Sequence, residues 1–487
     1  MDPRSPALYL VGFDVGSTTT SVMVAAARLV KNCVTGRNEL GDVTPLFRPD
    51  PVFTPFHNEV LDLARLEQQL DAWLAAARID PARVAGGGAL VTGLAARSAN
   101  AAAVKQLVKR RFRDAVVAAT DDPCLESWLA FMGNTLDLSR AEPGRPFINL
   151  DVGGGTTNVA WGVAGEVHRC GCYYVGARHV QVEPGTYCVR GLSPFAIALL
   201  AELGINGAAG TTLRPRDRDG LLAFYVGLLE AVVTGRPPPR PGAVARQHCQ
   251  APFMPPVAPY PGIRNGDPVI TLSGGVGELA YRDARGEPLP GTTAFGDLGI
   301  DLAQRISASP LLGKDLKTHI PAGLGRATVH GLTAHSTEIS GATLFLPLPE
   351  ILPLTDLPIL GTIGSETGDE EILGLLTLAE RAAEGASLRV ELKAVDTASV
   401  KALGQRLAVL LEKGRGAVRS PIVLLTAGNI GKTLGQYATR WGQFEAPLVV
   451  IDEIPDRKAH FATIGAPHQG LVPVSFHGLA GEQANPS

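Results

Sequence analysis

Asp151-Val152-Gly153-Gly154-Gly155-Thr156-Thr157-Asn158-Val159 restates an earlier stretch, Asp14-Val15-Gly16-Ser17-Thr18-Thr19-Thr20-Ser21-Val22. Laid on each other at an offset of 137, the two agree at six places in nine. Each follows an apolar run, 8–13 in the first copy and 147–150 in the second, that reads as a buried strand. After the first turn, residues 19–25 read as a second strand rich in β-branched side chains, so the unit is a hairpin with a carboxylate at its bend. One supersecondary unit used twice predicts two similarly built lobes.

The chemistry of the hairpin follows from its residue types. Glycines and small side chains let successive backbone N–H groups point into one concavity, an anion-binding nest with hydroxyls at its rim. Magnesium keeps most of its water and takes phosphate oxygens as inner ligands. Asp14 and Asp151 facing each other therefore suit a metal, held largely through water, on the β and γ phosphates of a nucleotide. Gly16, Gly153, Gly154 and Gly155 let backbone approach phosphate, and Ser17, Thr18, Thr19, Thr156 and Thr157 supply hydroxyls. A single such turn is as easily an ordinary glycine-rich hairpin; the second copy gives the reading its force.

Outside the hairpins, 61–77 has helical periodicity through Leu63, Leu66, Leu70, Trp73 and Leu74, and 99–112 continues in helical style. A short strand at 115–119 leads into Asp121-Asp122-Pro123, a start signal for a helix over 124–132. Residues 236–261 are proline-rich and read as an exposed connector. The strand 269–272 breaks at Ser273-Gly274-Gly275-Val276-Gly277-Glu278, by itself a plain tight turn or helix start. Beyond it, strand-like runs at 417–425 and 448–451 alternate with a helix near 397–412, so the whole chain is α/β.

Composition narrows the function. The 487 residues carry 44 basic and 47 acidic side chains, a net charge of −3, which leaves no basic excess for a nucleic-acid backbone. With 45% hydrophobic residues the chain can fill real cores, and its 56 glycines and 37 prolines predict many turns between short elements. Six scattered cysteines make no disulfide framework, which fits a reducing cytoplasm. No leader or membrane anchor is expected: the first apolar run meets Asp14, and 342–364, with Glu350, Asp356 and four prolines, reads as a loop-rich buried segment.

The order of phosphate turn, connecting helix, phosphate turn and glycine-rich 273–278 turn resembles the actin/Hsp70-like and sugar-kinase ATPase superfamily. That resemblance implies a two-lobed fold of duplicated ribonuclease-H-like domains closing on Mg-ATP, with Gly274, Gly275, Gly277 and Glu278 at the adenosine. The first lobe would be 1–145. The second would be 146–487, with the second phosphate hairpin, the adenosine turn and an additional C-terminal α/β region. Asp121-Asp122-Pro123-Cys124-Leu125-Glu126-Ser127, Phe295-Gly296-Asp297-Leu298-Gly299 and Arg326-Ala327-Thr328-Val329, together with the turns above, look like the ethanolamine ammonia-lyase reactivating factor, the EutA family, over nearly the full chain. The family implies an ATP-dependent chaperone, cycling between ATP and ADP, whose partner is ethanolamine ammonia-lyase carrying damaged cobalamin. It also implies a cytoplasmic protein, with association with an ethanolamine-utilization microcompartment left open. Glu126, or Asp151 through its metal shell, would orient the attacking water; for Glu126 the plain alternative is an acidic residue meeting a helix dipole. Neither nucleic acid nor membrane is an expected partner, and oligomeric state is not legible.

Other features have plain readings. Gly428-Asn429-Ile430-Gly431-Lys432-Thr433 is not a Walker loop, because position 426 is threonine where the pattern needs glycine. Cys170-Gly171-Cys172 reads as ordinary thiols in preference to a metal or cluster site. His330 and His335 fall in a strand-like region without metal spacing, and Asp452 reads as a turn residue. Two functional alternatives remain: a small-molecule kinase, which would need a further carboxylate as base, and an actin-like nucleotide-controlled scaffold.

Overall fold

The computed structural model describes residues 8–479 apart from 32–37, 58–59, 81–82, 93–94, 96–97, 113–115, 121–122, 235–267, 342, 383, 414–419, 444–446, 456, 458 and 469. The proline-rich connector of 236–261 and the Asp121-Asp122 start signal lie outside the described residues.

Three main sheets carry the fold. The first holds Leu8–Val15 (β1), Thr19–Lys31 (β2), Asn38–Phe47 (β3), Val84–Val91 (β4) and Val116–Thr120 (β5), in the order β3-β2-β1-β4-β5. β1, β2 and β3 are antiparallel neighbours, whereas β4 runs parallel to β1 and β5 parallel to β4. The second holds Pro146–Val152 (β6), Thr157–Val163 (β7), Glu166–Tyr173 (β8) and Val269–Ser273 (β9), in the order β8-β7-β6-β9. Again three antiparallel strands are followed by a parallel fourth. Two sheets wound in the same order, each beginning with an Asp-ended strand, are the duplicated ribonuclease-H-like units expected from the repeated motif, and together they make the two-lobed actin-like ATPase fold.

Helices fill the faces. Leu63–Ala77 (α1) starts at Asp62, whose carboxylate accepts from Arg65 N at 3.1 Å. It buries Leu66, Leu70 and Trp73 on the first sheet, where Trp73 meets Phe13 edge-on at 6.4 Å. Ala101–Arg111 (α2) shares that core, while Pro123–Asn134 (α3) and Leu136–Ala141 (α4) lead to the second sheet. Pro194–Leu203 (α5), Pro215–Thr234 (α6), Gly274–Ala284 (α7) and Gly299–Ala308 (α8) pack over the second sheet in the largest core cluster. Ala327–His335 (α9) then crosses α3 at very short range. A Cβ at Gly133 would sit 1.9 Å from Ala327 O, and one at Gly331 would sit 2.1 Å from Leu129 O, so only glycine fits at this crossing.

The chain after α9 forms a third sheet. It comprises Thr337–Ile339 (β10), Leu354–Gly364 (β11), Ala386–Glu391 (β12), Ile422–Thr426 (β13), Leu448–Ile451 (β14), Ala459–Ile464 (β15) and Pro473–Leu479 (β16). The order is β10-β16-β15-β11-β12-β13-β14, with β11 to β14 parallel. Asp369–Arg381 (α10), Thr397–Lys413 (α11) and Gly431–Ala438 (α12) make the crossovers. This sheet abuts the first one: Gly87 N in β4 donates to Thr337 Oγ1 in β10 at 2.9 Å.

Two expectations are corrected. The segment 342–364 is not loop throughout, because β11 takes up its second half. Three of its prolines precede that strand, and Pro358, opposite Phe461, follows directly on a register shift against β15 between Leu354 and Leu357 that contains Asp356 at φ +56°. His330 and His335 lie on a helix, α9, not in a strand-like region; close packing against α3 outweighs the weak helix propensity of the sequence Ala-Thr-Val-His-Gly. Asp452 does stand in the turn that follows β14, beside Glu453 at φ +58°. It is buried just past β14, where it accepts from Gly431 N at the start of α12 at 3.1 Å and from the Thr343 hydroxyl. Among the described residues, no helix is long and apolar enough to cross a membrane.

Candidate nucleotide site

The two phosphate-type hairpins share their hydrogen bonds as well as their sequence. Gly16 N donates to Thr19 O and Gly153 N to Thr156 O, both at 2.9 Å. Asp14 lies opposite Ser21 across β1 and β2, and Asp151 opposite Asn158 across β6 and β7. Cross-strand partners point to one face of a sheet, so each lobe presents a carboxylate with a neutral polar neighbour beside it.

Both carboxylates open on one cleft of about 280 Å³ between the lobes. Asp14, Gly16, Ser17, Thr18 and Thr19 line it from one side, and Asp151, Gly153, Gly154, Gly155 and Thr156 from the other. The hairpins nearly touch: a Cβ at Gly154 would fall 2.1 Å from Thr18 Oγ1. Burial and the charge of Asp151 raise the Asp14 carboxyl to about 7, against a lesser opposing pull from the Thr92 hydroxyl, which donates to Asp14 Oδ1 at 3.4 Å. Burial also raises Asp151, while hydrogen bonds from Ser273 and Thr328 work the other way.

Gly274, Gly275 and Glu278 of the third turn, now the start of α7, line the same cleft, as does Glu126 in the first turn of α3, which is buried. Two of the residues singled out by sequence do not line it. Thr157 points back into its lobe and donates to Val175 O at 2.8 Å, and Gly277 sits inside α7, where a Cβ would meet Leu272 at 3.1 Å. Conversely Thr92, Asn158, Asp297, Arg326 and Thr328 line the cleft without having been assigned to it. Asp297, two residues before the first residue of α8, accepts from Gly299 N at 2.9 Å. Arg326 bridges the lobes at the mouth, donating to Asp50 Oδ1 at 2.9 Å and to Arg48 O at 3.2 Å. Four of these, Asn158, Asp297, Arg326 and Thr328, stand in stretches already notable in the sequence, but nothing local marks Thr92.

Two adjacent carboxylates, Asp151 buried and Asp14 half-buried, both with raised proton affinity, form a donor set that a divalent cation would neutralise. Thr18 Oγ1 and Asn158 Oδ1 are buried at the cleft with no hydrogen-bond partner, open valences that a bound ligand or its water would satisfy. The residues present therefore fit a magnesium-bound phosphate chain. Elsewhere, Cys172 is buried with Tyr174, and Cys170 lies on the same face of β8; no group of three or more His, Cys, Asp or Glu poised for a metal occurs among the described residues.

Fold and cleft together define a member of the actin-like ATPase fold with a duplicated phosphate-type hairpin. The sequence profile of the family described as "Ethanolamine utilisation protein EutA" matches residues 6–481, and the chain belongs to that family. A relative from Salmonella typhimurium named "Ethanolamine ammonia-lyase reactivase EutA" is 29% identical over 494 residues, spanning 97% of this chain and 98% of the relative. Its Escherichia coli namesake is 28% identical over 500 residues, with the same shares. Solved structures are more remote. An exopolyphosphatase from Cytophaga hutchinsonii is 12% identical with a TM-score of 0.33, covering 63% of this chain and 88% of its own. Component A of the (R)-2-hydroxyglutaryl-CoA dehydratase from Acidaminococcus fermentans is 13% identical with a TM-score of 0.28, covering 67% and 97%. The fold assignment rests on the strand orders above, not on these likenesses.

Proposed function

We propose that this chain is an ATP-dependent reactivating chaperone for ethanolamine ammonia-lyase, releasing damaged cobalamin so that intact adenosylcobalamin can bind. The observation that carries the nucleotide half of the reading is the meeting of Asp14 and Asp151, from equivalent hairpins, in one interlobe cleft. The names of the two bacterial relatives, which match over nearly the whole chain, support the partner. Asp14 and Asp151 would hold magnesium through its water. The N–H groups of 17–19 and 154–156, with the Ser17, Thr18, Thr19 and Thr156 hydroxyls, would hold the phosphates, and Gly274, Gly275 and Glu278 the adenosine.

Bound Mg-ATP would supply the phosphoanhydride whose cleavage makes the cycle directional. Glu126, or Asp151 through its metal shell, would align the attacking water; both line the cleft. Because residues from both lobes contact one ligand, its loss or shortening changes the interlobe contacts, and the Arg326 bridge to Asp50 and Arg48 is one of those that must adjust. A ligand that binds two lobe arrangements unequally shifts their populations, and so the affinity for a partner that distinguishes them.

The test is cobalamin release. Lyase loaded with hydroxocobalamin is incubated with this chain, magnesium and ATP, desalted, and its visible spectrum recorded. The cobalamin bands should leave the lyase only when ATP is present; retention under all conditions contradicts the reading.

A further inference from the structure

A buried polar chain ends on Asp151. Its polarity is fixed at the far end by backbone groups, which cannot exchange donor for acceptor. Leu324 N donates to Asn134 Oδ1 at 2.9 Å, and Asn134 Nδ2 donates to Leu272 O at 2.9 Å. The same Nδ2 therefore also donates, at 2.8 Å, to Asn149 Oδ1, which lies 3.2 and 3.1 Å from the Thr135 and Thr271 hydroxyls; these two share a hydrogen bond of their own at 2.8 Å, which leaves one of their protons for Asn149 Oδ1. Turning the Asn149 amide over would set nitrogen against nitrogen, so its Nδ2 faces the other way and donates to Ser273 Oγ at 2.9 Å. With an oxygen lone pair of Ser273 so occupied, its proton is directed to Asp151 Oδ1, at 2.6 Å. Thr328, in the first turn of α9, donates to the other oxygen, Oδ2, at 3.3 Å. Asn149 and Ser273 are fully buried, and Thr328 nearly so.

From this geometry we infer that Ser273, oriented by Asn149, and Thr328 are positioning residues for Asp151, clamping one carboxylate oxygen each so that the group meets the metal-bound nucleotide in a single orientation. The inference rests on the reading of this cleft as a magnesium-nucleotide site. Neither hydroxyl needs to touch the nucleotide. Their contribution is that of outer-shell hydrogen bonds, which fix a metal-facing carboxylate before the metal arrives. Thr328 also ties Asp151 to α9, the helix that crosses α3 and leads directly into β10 of the third sheet.

The test is calorimetric titration of the full chain with ADP, in magnesium and in EDTA, for wild type, Ser273→Ala, Thr328→Val and Thr328→Ser. Wild type should bind more tightly in magnesium than in EDTA. Ser273→Ala and Thr328→Val should each lose about tenfold in affinity with magnesium, while their affinity in EDTA changes less than about twofold, and Thr328→Ser, which keeps the hydroxyl, should bind as wild type. Equal losses in both buffers, or none, would overturn the positioning role, the first by revealing a packing defect. A wild type indifferent to magnesium would instead overturn the magnesium-nucleotide reading on which the inference rests. Ser273→Ala and Thr328→Val act from different elements, so failure of one to fold leaves the other to decide.

Discussion

Asp14 and Asp151 end equivalent strands of two sheets wound in the same order and face one cleft, in which the charge of Asp151 adds to burial in raising the Asp14 carboxyl to about 7. Without a cation this pair is an unfavourable arrangement, because each carboxylate is desolvated beside the other. Replacing Asp14 with alanine should therefore leave the metal-free protein as stable as wild type or slightly more so, whereas Asp151→Ala should be the less stable of the two because it leaves the buried Ser273 and Thr328 hydroxyls without their acceptor. Turnover of ATP should fall by roughly two orders of magnitude, the scale of losing a charge that organises the transition state. Phosphate-release assays beside thermal melts in EDTA check both halves; full turnover in both variants would move the site elsewhere.

Gly275 gives a cleaner separation of binding from folding. It lines the cleft, and a Cβ built on it meets no protein atom within 4 Å. Gly275→Val should change stability by no more than about 0.5 kcal/mol, as at an unencumbered surface position. The affinity for nucleotide, read by calorimetry, should drop at least about tenfold, because the added side chain occupies space meant for the ligand. An unchanged dissociation constant would remove this turn from the binding surface.

The crossing of α3 and α9 depends on an absent side chain. A Cβ at Gly133 would lie 1.9 Å from the Ala327 carbonyl oxygen, a backbone atom that cannot turn aside. Gly133→Ala should force the helices apart and cost about 1–3 kcal/mol or more, the usual scale of overpacking, despite alanine's better helix propensity. Denaturant unfolding measures it, and a neutral result would mean the helices are more loosely crossed than described.

His335 makes stability depend on pH. Burial, with His330 on the same helix and Arg140 and Arg457 packed nearby, lowers it to about 4 against a small opposing effect of Asp137. A histidine whose folded value lies below its unfolded value stabilises the fold above pH 6.5 and loses that contribution as pH falls from 6.5 toward 4. Between pH 7 and pH 5 its share of the loss is about 2 kcal/mol. His335→Gln should flatten the stability profile over that window by this amount, and a variant with the wild-type slope would assign the acid sensitivity to other groups.

Much of the fold was legible because its deciding feature is local. The Asp-x-Gly turns are short, repeated and chemically distinctive, and the structure sets all three glycine-rich turns on one cleft. Thr92 carries no such mark, and Thr328 stands in a notable stretch that does not reveal its contact: their hydrogen bonds reach residues 78 and 177 positions away, a separation that no local pattern encodes. Asn149 sat inside what reads as an apolar strand, and its role emerges only when β9 is laid beside β6. The third sheet was hardest, since β10 pairs with the last strand of the chain and β11 bends around Pro358 and Asp356, residues that argue locally for a loop.

The most direct measurement is recovery of activity by ethanolamine ammonia-lyase inactivated with hydroxocobalamin, in mixtures that omit in turn ATP, magnesium, free adenosylcobalamin and this protein. The account predicts recovery only in the complete mixture, and none when wild type is replaced by the Asp151→Ala variant. Recovery without ATP, or undiminished recovery with Asp151→Ala, would contradict it.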